Sequence, residues 1–403
     1  MIDRVSSNQV YRTGIGSILE AQSQLSRIQE QVASGKRIQN PSDDPTAAAE
    51  IVRLRSELNR VETYQRNADR AINALSFEES AIAGAESVLQ RARELAVQGA
   101  NDALLTQEDR EIIAAEIDGL RDSLLNIGNT RNADGEYIFA GDRVNSAAFS
   151  ESGGAISYDG TGGPRMVNIA AGIRIQGNDT GAELFQNAPA GNGAFEVSVP
   201  NSNVGNGVVG STGYDNSYPG NENYTIAFSA GGAGQLQYTV TGSTSGALAA
   251  AQDFTPGEAI SFAGATVVIE GEPNASDTFA VTSGGTQSAF DTLTELSAAL
   301  RTNGSSDATA KRVSRVGAAI QSIDANLGQF SKVRTDLGAR LNRLDDQVSL
   351  NDSFNLQVER TISSLEDLDL AKAVTELNLQ LVALQAAQQS YLKTQGISLF
   401  NYL

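Results

Sequence analysis

Apolar residues recur three or four positions apart through two long stretches of the chain. One stretch runs from Ile51 to Ala96 and the other from Val313 to Leu365. At 1.5 Å per residue, the second stretch would be about 80 Å long as a single helix. Such unbroken spacing is typical of a coiled-coil seam, which a single helix cannot bury alone. We therefore predict two long helices that pair through a helical seam of Leu54, Leu58, Ile72, Leu75, Leu89, Ile320, Ile323, Leu327, Phe330, Leu337, Leu341 and Leu344.

Three shorter stretches with the same spacing predict further helices over 15–32, 113–127 and 370–391. Several residues mark where helices begin. Asp44 followed by Pro45 is typical of an N-cap and a first helical residue. Thr106 and Ser364 are each followed three positions later by an acid, which is the spacing of a capping box. The signal at Ser364 predicts that the long C-terminal helix ends there and that a last helix follows.

The middle of the chain has a different pattern. From about residue 141 to about 286, Gly, Asn, Ser and Thr are abundant, and short runs of β-branched and aromatic residues alternate with polar ones. This alternation predicts β-strands, and Asn-Gly, Asp-Gly and Gly-Gly pairs predict turns between them. The predicted strands are 195–199, 224–228, 235–240, 265–269 and 277–281.

Together, these patterns predict an α+β fold. Both chain ends build a long, coiled-coil-like helical domain, and a mostly-β domain is inserted between them. The two ends can pack together because closing a long loop costs little extra entropy per added residue. The predicted divisions are an N-terminal segment at 1–40, a helical axial domain at 41–140 and 287–364, a β-rich outer domain at 141–286 and a C-terminal segment at 365–403.

The amino-acid composition excludes several classes of catalytic and binding site. The 403 residues are 40% apolar and 19% charged, as in globular proteins. Because His and Cys are absent, catalytic triads, cysteine nucleophiles, zinc sites and histidine-ligated haem are excluded. A formal charge of −19 argues against binding to a phosphate backbone. No apolar run is long enough to predict a membrane span. We therefore expect no enzyme activity, cofactor or metal, and neither nucleic acid nor a membrane as partner.

Two kinds of motif resemble ligand-binding or catalytic sites, but structural interpretations as loops, helix caps and solvated surface are favoured. The segment 205–210 has the letters of a dinucleotide-binding fingerprint, yet the residues after it predict a loop rather than a helix. Paired acids on a helix point about 100° apart and do not converge on one substrate atom. We interpret Asp43-Asp44 as a helix cap. The other two pairs, Glu78-Glu79 and Asp345-Asp346, are interpreted as solvated surface. Calcium binding by the acidic β domain stays open, although no loop has EF-hand spacing.

Several motifs at both ends resemble the flagellin family. The N-terminal ones are ASGKRI at 33–38, PSDDP at 41–45 and RARELAVQ at 91–98, and DGEYIFAG at 134–141 resembles a turn into an outer domain. SSLEDLDL at 363–370 and SLFNYL at 398–403 are similar to the junction-forming members of the family and differ from the terminus expected of a filament flagellin. The resemblance covers roughly 1–141 and 287–403, but not the β-rich middle.

This resemblance implies a structural component of the bacterial flagellum, a hook-associated junction protein that joins hook to filament. It implies self-assembly into a ring, with the hook protein, the other hook-associated junction protein and a flagellar export chaperone as partners. It also implies an extracellular location reached by type III export without a cleaved signal peptide. The start of the chain agrees with this expectation, since it lacks the apolar run of such a signal.

In the family, both terminal segments are disordered in the monomer and fold on assembly. Isolated helices as short as those predicted here are marginal in water. Their apolar faces also have no evident cover within the chain once the longer helices have paired. We therefore predict an assembly interface made of Ile15, Ile18, Leu25, Val32, Val374, Leu377, Leu381, Leu384 and Tyr391.

Two alternative functions stay open. A filament flagellin with an unusual C-terminus would share the helical ends, and the number of copies per flagellum would distinguish it. A secreted carbohydrate-binding or hydrolytic protein would use the β domain. Hydrolysis would require two carboxyl groups about 5–10 Å apart in a concave site, and a turnover assay would detect it.

Overall fold

Helices, strands and helices follow one another along the chain in the predicted order. The computed structural model describes residues 7–101, 105–248 and 250–396. Within them, the helices are α1 (Ser7–Ser34), α2 (Pro45–Gly99), α3 (Gln107–Gly128), α4 (Ala289–Leu300), α5 (Ser306–Glu366) and α6 (Leu370–Gly396). The predicted α+β class, with helical ends and a β-rich middle, is confirmed.

The chain divides into two compact units. The first combines described residues of 1–66 with those of 347–403, and the second comprises those of 67–346. The long helices α2 and α5 each contribute a segment to both units. The predicted division into terminal, axial and outer parts concerns the place of each part in an assembly, and it stays a prediction.

In the second unit, α2 and α5 lie side by side. Arg334 of α5 forms ion pairs of 2.7 Å with Glu79 and with Glu86 of α2. Farther along, Arg93 of α2 pairs with Asp324 of α5 at 2.5 Å. Because the numbers rise along α2 as they fall along α5, the two helices are antiparallel.

Burial along the two long helices follows the predicted helical seam. The 3-4 spacing places these side chains on one face of each helix, where they can pack away from water. Leu54, Leu75, Leu89, Ile323, Phe330, Leu337 and Leu344 are buried, and Leu58, Ile72, Ile320, Leu327 and Leu341 are half-buried.

The strands pair antiparallel throughout the described β region. They are β1 (Phe149–Ser152), β2 (Ala155–Tyr158), β3 (Met166–Ala170), β4 (Ile173–Gln176), β5 (Ala188–Pro189), β6 (Phe195–Ser198), β7 (Val208–Tyr214), β8 (Tyr224–Ala230), β9 (Leu236–Gly242), β10 (Gly246–Ala247), β11 (Gln252–Asp253), β12 (Ala259–Phe262), β13 (Ala265–Glu270), β14 (Thr278–Ser283) and β15 (Thr286–Gln287).

Two of the sheets share one apolar core. The larger has the order β10-β9-β8-β14-β6, with β11 also paired to β9, and the smaller has the order β12-β13-β7. Inward residues of both sheets, including Ile226, Val267 and Phe279, are fully buried in a single cluster. Alternate residues along these strands are more exposed, as period-two side-chain placement requires. The remaining pairs are the hairpins β1-β2 and β3-β4 and the short pair β5-β15.

All five predicted strands are confirmed and correspond to β6, β8, β9, β13 and β14. The prediction of a loop after residue 210 is wrong, because β7 continues to Tyr214, which pairs with Ala265 of β13. Two glycines, Gly210 and Gly213, interrupt the apolar pattern of β7 and concealed it.

An aromatic cluster connects the β region to the helices inside the second unit. Phe185, on a π-helical turn at Ala182–Gln186, has ring centroids of Phe149, Phe290 and Phe330 at 5.4–5.6 Å. These residues belong to β1, α4 and α5. Close packing here requires glycine at position 181, because a Cβ would lie 2.7 Å from the Phe149 ring.

The predicted helix starts are confirmed at two positions and wrong at one. Asp44 caps α2 by accepting from the Ala47 amide at 3.0 Å, and Thr106 forms a full capping box with Asp109. Ser364 does not begin a helix, since its hydroxyl donates back to the Thr361 carbonyl and α5 continues to Glu366. Asp369 caps α6 instead, accepting from the Lys372 amide at 3.1 Å.

Candidate functional site

The two terminal helices pack against each other in the first unit. At one end, a Cβ added to Gly14 of α1 would lie 3.1 Å from Cδ2 of Tyr391 on α6. At the other end, Lys36 and Asp367 form an antiparallel β-bridge just outside the two helices. The first and last described helices therefore form an antiparallel pair.

Each terminal helix carries one stripe of half-buried residues with 3-4 spacing, as in two-helix packing. Because the helices contact each other, we assign the two stripes to their mutual interface and call them the terminal seam. On α1 the seam comprises Ile18, Ala21, Leu25, Ile28 and Val32, and on α6 Leu377, Gln380, Leu384, Ala387 and Tyr391.

Beside the terminal seam, α6 has a second apolar stripe that is exposed, here called the outer stripe. It comprises Leu370, Val374, Leu381 and Leu392, which are 55%, 44%, 37% and 64% exposed. At 100° per residue, the four positions fall within about 40° of one another around the helix. Large apolar side chains grouped in this way are typical of a surface that another molecule covers.

The structure divides the nine predicted assembly residues into two groups. Ile18, Leu25, Val32, Leu377, Leu384 and Tyr391 are half-buried in the terminal seam, whereas Ile15, Val374 and Leu381 are exposed. The expectation that none of them has cover within the chain is therefore wrong for the first group, because each terminal helix covers the other. Their role in assembly stays a prediction.

Sequence reasoning missed most of the exposed apolar surface of the terminal helices. Leu19 on α1 is 60% exposed, and Leu379 and Val382 on α6 are each 65% exposed. These residues lie off the single 3-4 stripe that was read from the sequence. Counting apolar residues around the whole circumference of α6 would have found them. The similar motif at 398–403 lies outside the described residues.

At the base of the terminal pair, the connection between α1 and α2 meets the connection between α5 and α6. The Arg37 amide donates to the Glu366 carbonyl at 2.7 Å, and the Leu368 amide donates to the Gly35 carbonyl at 2.9 Å. Gly35 has a φ of +71°, which favours glycine. Next to these connections, a small buried cluster is formed by Ile38, Ala47 and Ile51. Ile362 and Leu365 of α5 pack against it.

A buried carboxylate joins the two connections through ion pairs. Glu366 is 8% exposed, and its two carboxylate oxygens accept from Lys36 Nζ and Arg55 Nη2, each at 2.6 Å. We call Lys36, Arg55 and Glu366 the clasp. Burial by itself would raise the pKa of Glu366, but hydrogen bonds and charge from Lys36 and Arg55 outweigh burial and lower that pKa.

The PSDDP motif has a structural role in the same loop. Asp43 accepts from the amides of Gln39 and Asn40 at 3.1 and 3.0 Å and pairs with Arg27 of α1 at 3.0 Å. Its hydrogen bonds to these amides hold the pKa of Asp43 below the ordinary value. The two acids therefore shape the loop and start α2, as the cap interpretation predicts for Asp44.

The other paired acids behave differently from each other. Asp345 and Asp346 are exposed, as predicted. The interpretation of Glu78 as solvated is wrong, because this residue is 1% exposed. The Asp179 amide, in the segment after β4, donates to Glu78 at 2.9 Å, a long-range contact that the α2 sequence does not show.

The described residues contain no group of three or more acidic, His or Cys side chains placed to hold a metal ion. In the same parts of the chain, none of the helices combines the length and apolarity needed to cross a membrane. β7 begins at Val208, inside segment 205–210, and continues to Tyr214, so no helix N-terminus follows this segment to bind a pyrophosphate.

Models of two bacterial flagellin regions match the chain. The N-terminal helical region matches 5–143 and the C-terminal helical region matches 320–403. Together these residues make up more than half of the chain. The two matches contain the terminal helices, the clasp, all of α2 and most of α5.

Relatives that match most of this chain include flagellar proteins. The sequence is 26% identical to flagellar hook-associated protein 3 of Escherichia coli over 401 residues, covering 99% of each chain. The fold is similar to flagellar hook-associated protein 3 from Legionella pneumophila, with a TM-score of 0.75, 29% identity and coverage of 78% of this chain and 98% of the other. A second Legionella pneumophila structure, described as a flagellar junction protein, has a TM-score of 0.71 and 29% identity over 79% and 100%.

The clasp can be tested by replacing Glu366 with Gln. The substitution removes the charge that Lys36 and Arg55 share, and we expect it to lower the free energy of unfolding by about 1–2 kcal/mol at neutral pH. Because the folded pKa of Glu366 is lowered, its contribution is present above the unfolded pKa and is lost as the pH falls through the folded value. The difference between Glu366→Gln and wild type should therefore shrink in acid.

Chemical denaturation between pH 3 and pH 7 measures this difference. Glu359→Gln, an exposed substitution on the same helix, is the matched control and should change stability little. Equal effects of the two substitutions across this range would show that the clasp does not stabilise the fold.

Proposed function

Since this chain belongs to the flagellin family, we propose that it is a structural junction protein of the bacterial flagellum that joins hook to filament. Its relatives include flagellar hook-associated protein 3 of Escherichia coli, aligned over 99% of each chain, and a structure described as a flagellar junction protein. The observation that carries the proposal is the outer stripe of α6, which a single chain leaves in water. The role is mechanical and invokes no catalytic step.

The outer stripe supports assembly through the terminal helices. Burying a large apolar side chain contributes roughly 1.5–3 kcal/mol, so covering four such residues on every subunit offers a substantial gain. Copies of the same chain arranged in a ring can cover these stripes repeatedly. We therefore propose self-association of α1 and α6 as the step that builds the junction.

Further partners follow from the position of a junction. One face of the ring would meet the hook protein, and the other would meet the second hook-associated junction protein. Before assembly, the apolar surface of α6 would be exposed during transport, and an export chaperone bound there would protect it from aggregation. We propose an extracellular location, on the flagellum, for the assembled protein.

A deletion strain tests the proposed role. Without the junction, hooks should still form, but filaments should be absent from them and flagellin should accumulate in the medium. Electron microscopy of the cells and immunoblotting of the medium measure the two effects. Full-length attached filaments in this strain would contradict the proposal.

The outer stripe can be tested by complementing that strain with Leu381→Asp. A carboxylate there would have to be buried between subunits at a cost of several kcal/mol, so the number of filaments should fall by more than about tenfold. Ala383→Asp is the matched control, since it adds the same charge to an exposed position on the other side of α6. Normal filament numbers with Leu381→Asp would exclude the outer stripe from assembly.

We also propose that α1 and α6 are weakly ordered in the free chain and become ordered on assembly. The support is that their seam is only half-buried, whereas the central seam residues of α2 and α5 are fully buried. Amide hydrogen exchange of the free chain should be fast across 12–32 and 370–391 and slow across 75–96. Strong protection of 370–391 in the free chain would contradict folding on assembly.

A further inference from the structure

Three charged side chains from three different elements meet inside the second unit. Glu78 lies on α2, Arg340 lies on α5, and Asp179 lies in the segment between β4 and the π-helical turn. The Asp179 amide donates to Glu78 Oε1 at 2.9 Å, and Arg340 Nη2 forms an ion pair with Asp179 Oδ2. Gln176 Nε2 also donates to Asp179 Oδ1 at 2.7 Å. Both carboxyl residues are almost completely buried, at 1% and 4% exposed.

The charges of this group do not balance if both carboxyls are ionised. One guanidinium would face two carboxylates, and a buried charge without a partner is strongly unfavourable. Arg340 is already engaged with Asp179. Among the described residues, no donor reaches Glu78 Oε2. The nearby group that could accept from a protonated Glu78 is the Asp179 carboxylate, whose negative charge raises the pKa of Glu78.

We propose that Glu78 is protonated in the folded chain and donates a hydrogen bond to the Asp179 carboxylate. Glu78, Asp179 and Arg340 then form a proton-dependent clamp between the β region and the two long helices. The segment held by the clamp is Asn178–Thr180, whose residues are all at most 5% exposed. Loss of the proton places a second negative charge against Asp179. The segment then has to move away from α2 or admit water.

The electrostatic surroundings support this assignment. Burial raises the pKa of Glu78 well above its usual value, the charge of Asp179 raises it further, and the Asp179 amide and Arg340 only partly offset them. The neighbouring acids Glu79 and Glu86 pair with Arg334, outside the clamp. Arg340 is therefore the cation that faces the two buried carboxyls.

The raised pKa fixes the direction of the pH effect. A folded chain that binds the proton more tightly than the unfolded chain loses stability as the pH rises from the unfolded pKa through the folded pKa. The loss ends above the folded pKa, where both states are ionised. In that interval, the unfolding equilibrium constant changes by up to tenfold per pH unit for one proton.

Glu78→Gln tests the clamp, because the Gln amide can donate to Asp179 at every pH. Wild type and Glu78→Gln should have similar stability near pH 4. As the pH rises, the variant should become progressively more stable than wild type, by as much as tenfold in the unfolding constant per unit. Glu79→Gln is the matched control, and its difference from wild type should not grow in this way.

Hydrogen exchange of the wild-type Asp179 amide provides a second measurement that needs no variant to fold. Above the folded pKa of Glu78, this amide should lose protection relative to a reference amide in the core of β14. At a pH above the ordinary pKa of a glutamate and below the folded pKa of Glu78, infrared spectroscopy should also show a protonated carboxyl band that Glu78→Gln removes. Parallel stability curves for wild type and Glu78→Gln, or absence of that band, would overturn the proposal.

Discussion

A helix with an apolar stripe must lay that stripe against another surface, and this constraint organises the whole chain. Where α2 and α5 run antiparallel in the second unit, side chains such as Leu75, Ile82 and Leu337 have no exposed surface. The terminal pair has the same spacing, yet Leu377 and Leu384 are only half-buried. Two helices alone leave the edges of their seam open to water. The same sequence pattern therefore gives a fully buried seam between α2 and α5 and a half-buried seam between α1 and α6.

The β region is joined to the helices of the second unit by two contacts of different physical kinds. The rings around Phe185 bury apolar surface, and their packing does not depend on the ionisation of any group. The Asp179 segment instead meets α2 and α5 through Glu78 and Arg340. If the clamp opens when Glu78 ionises, the aromatic contact still holds. A change of pH would then loosen one attachment of the β region without detaching it.

Much of this architecture could be predicted because it depends on local periodicity. The 3-4 spacing located α2 and α5, and period-two alternation located five strands, since both patterns reflect side chains that alternate between core and solvent. β7 was missed because Gly210 and Gly213 remove side chains from that alternation. The burial of Glu78 was missed for another reason. Its partners Asp179 and Arg340 lie about 100 and 260 positions away in the sequence, and no local pattern reports contacts between such distant residues.

In the terminal helices, local periodicity located the helices but did not show which of their apolar residues are covered. A single stripe was read from α6, and its residues divide between the terminal seam and the outer stripe because the helix has more apolar surface than one partner can cover. The clasp explains why the connections beside this pair carry such a specific sequence. Gly35 supplies the left-handed turn, Asp43 binds the loop amides, and Glu366 joins Lys36 to Arg55. Together they anchor the base of the terminal pair to α2 and α5 within the first unit. The pair is thus fixed at its base, while the outer stripe along α6 stays exposed to solvent.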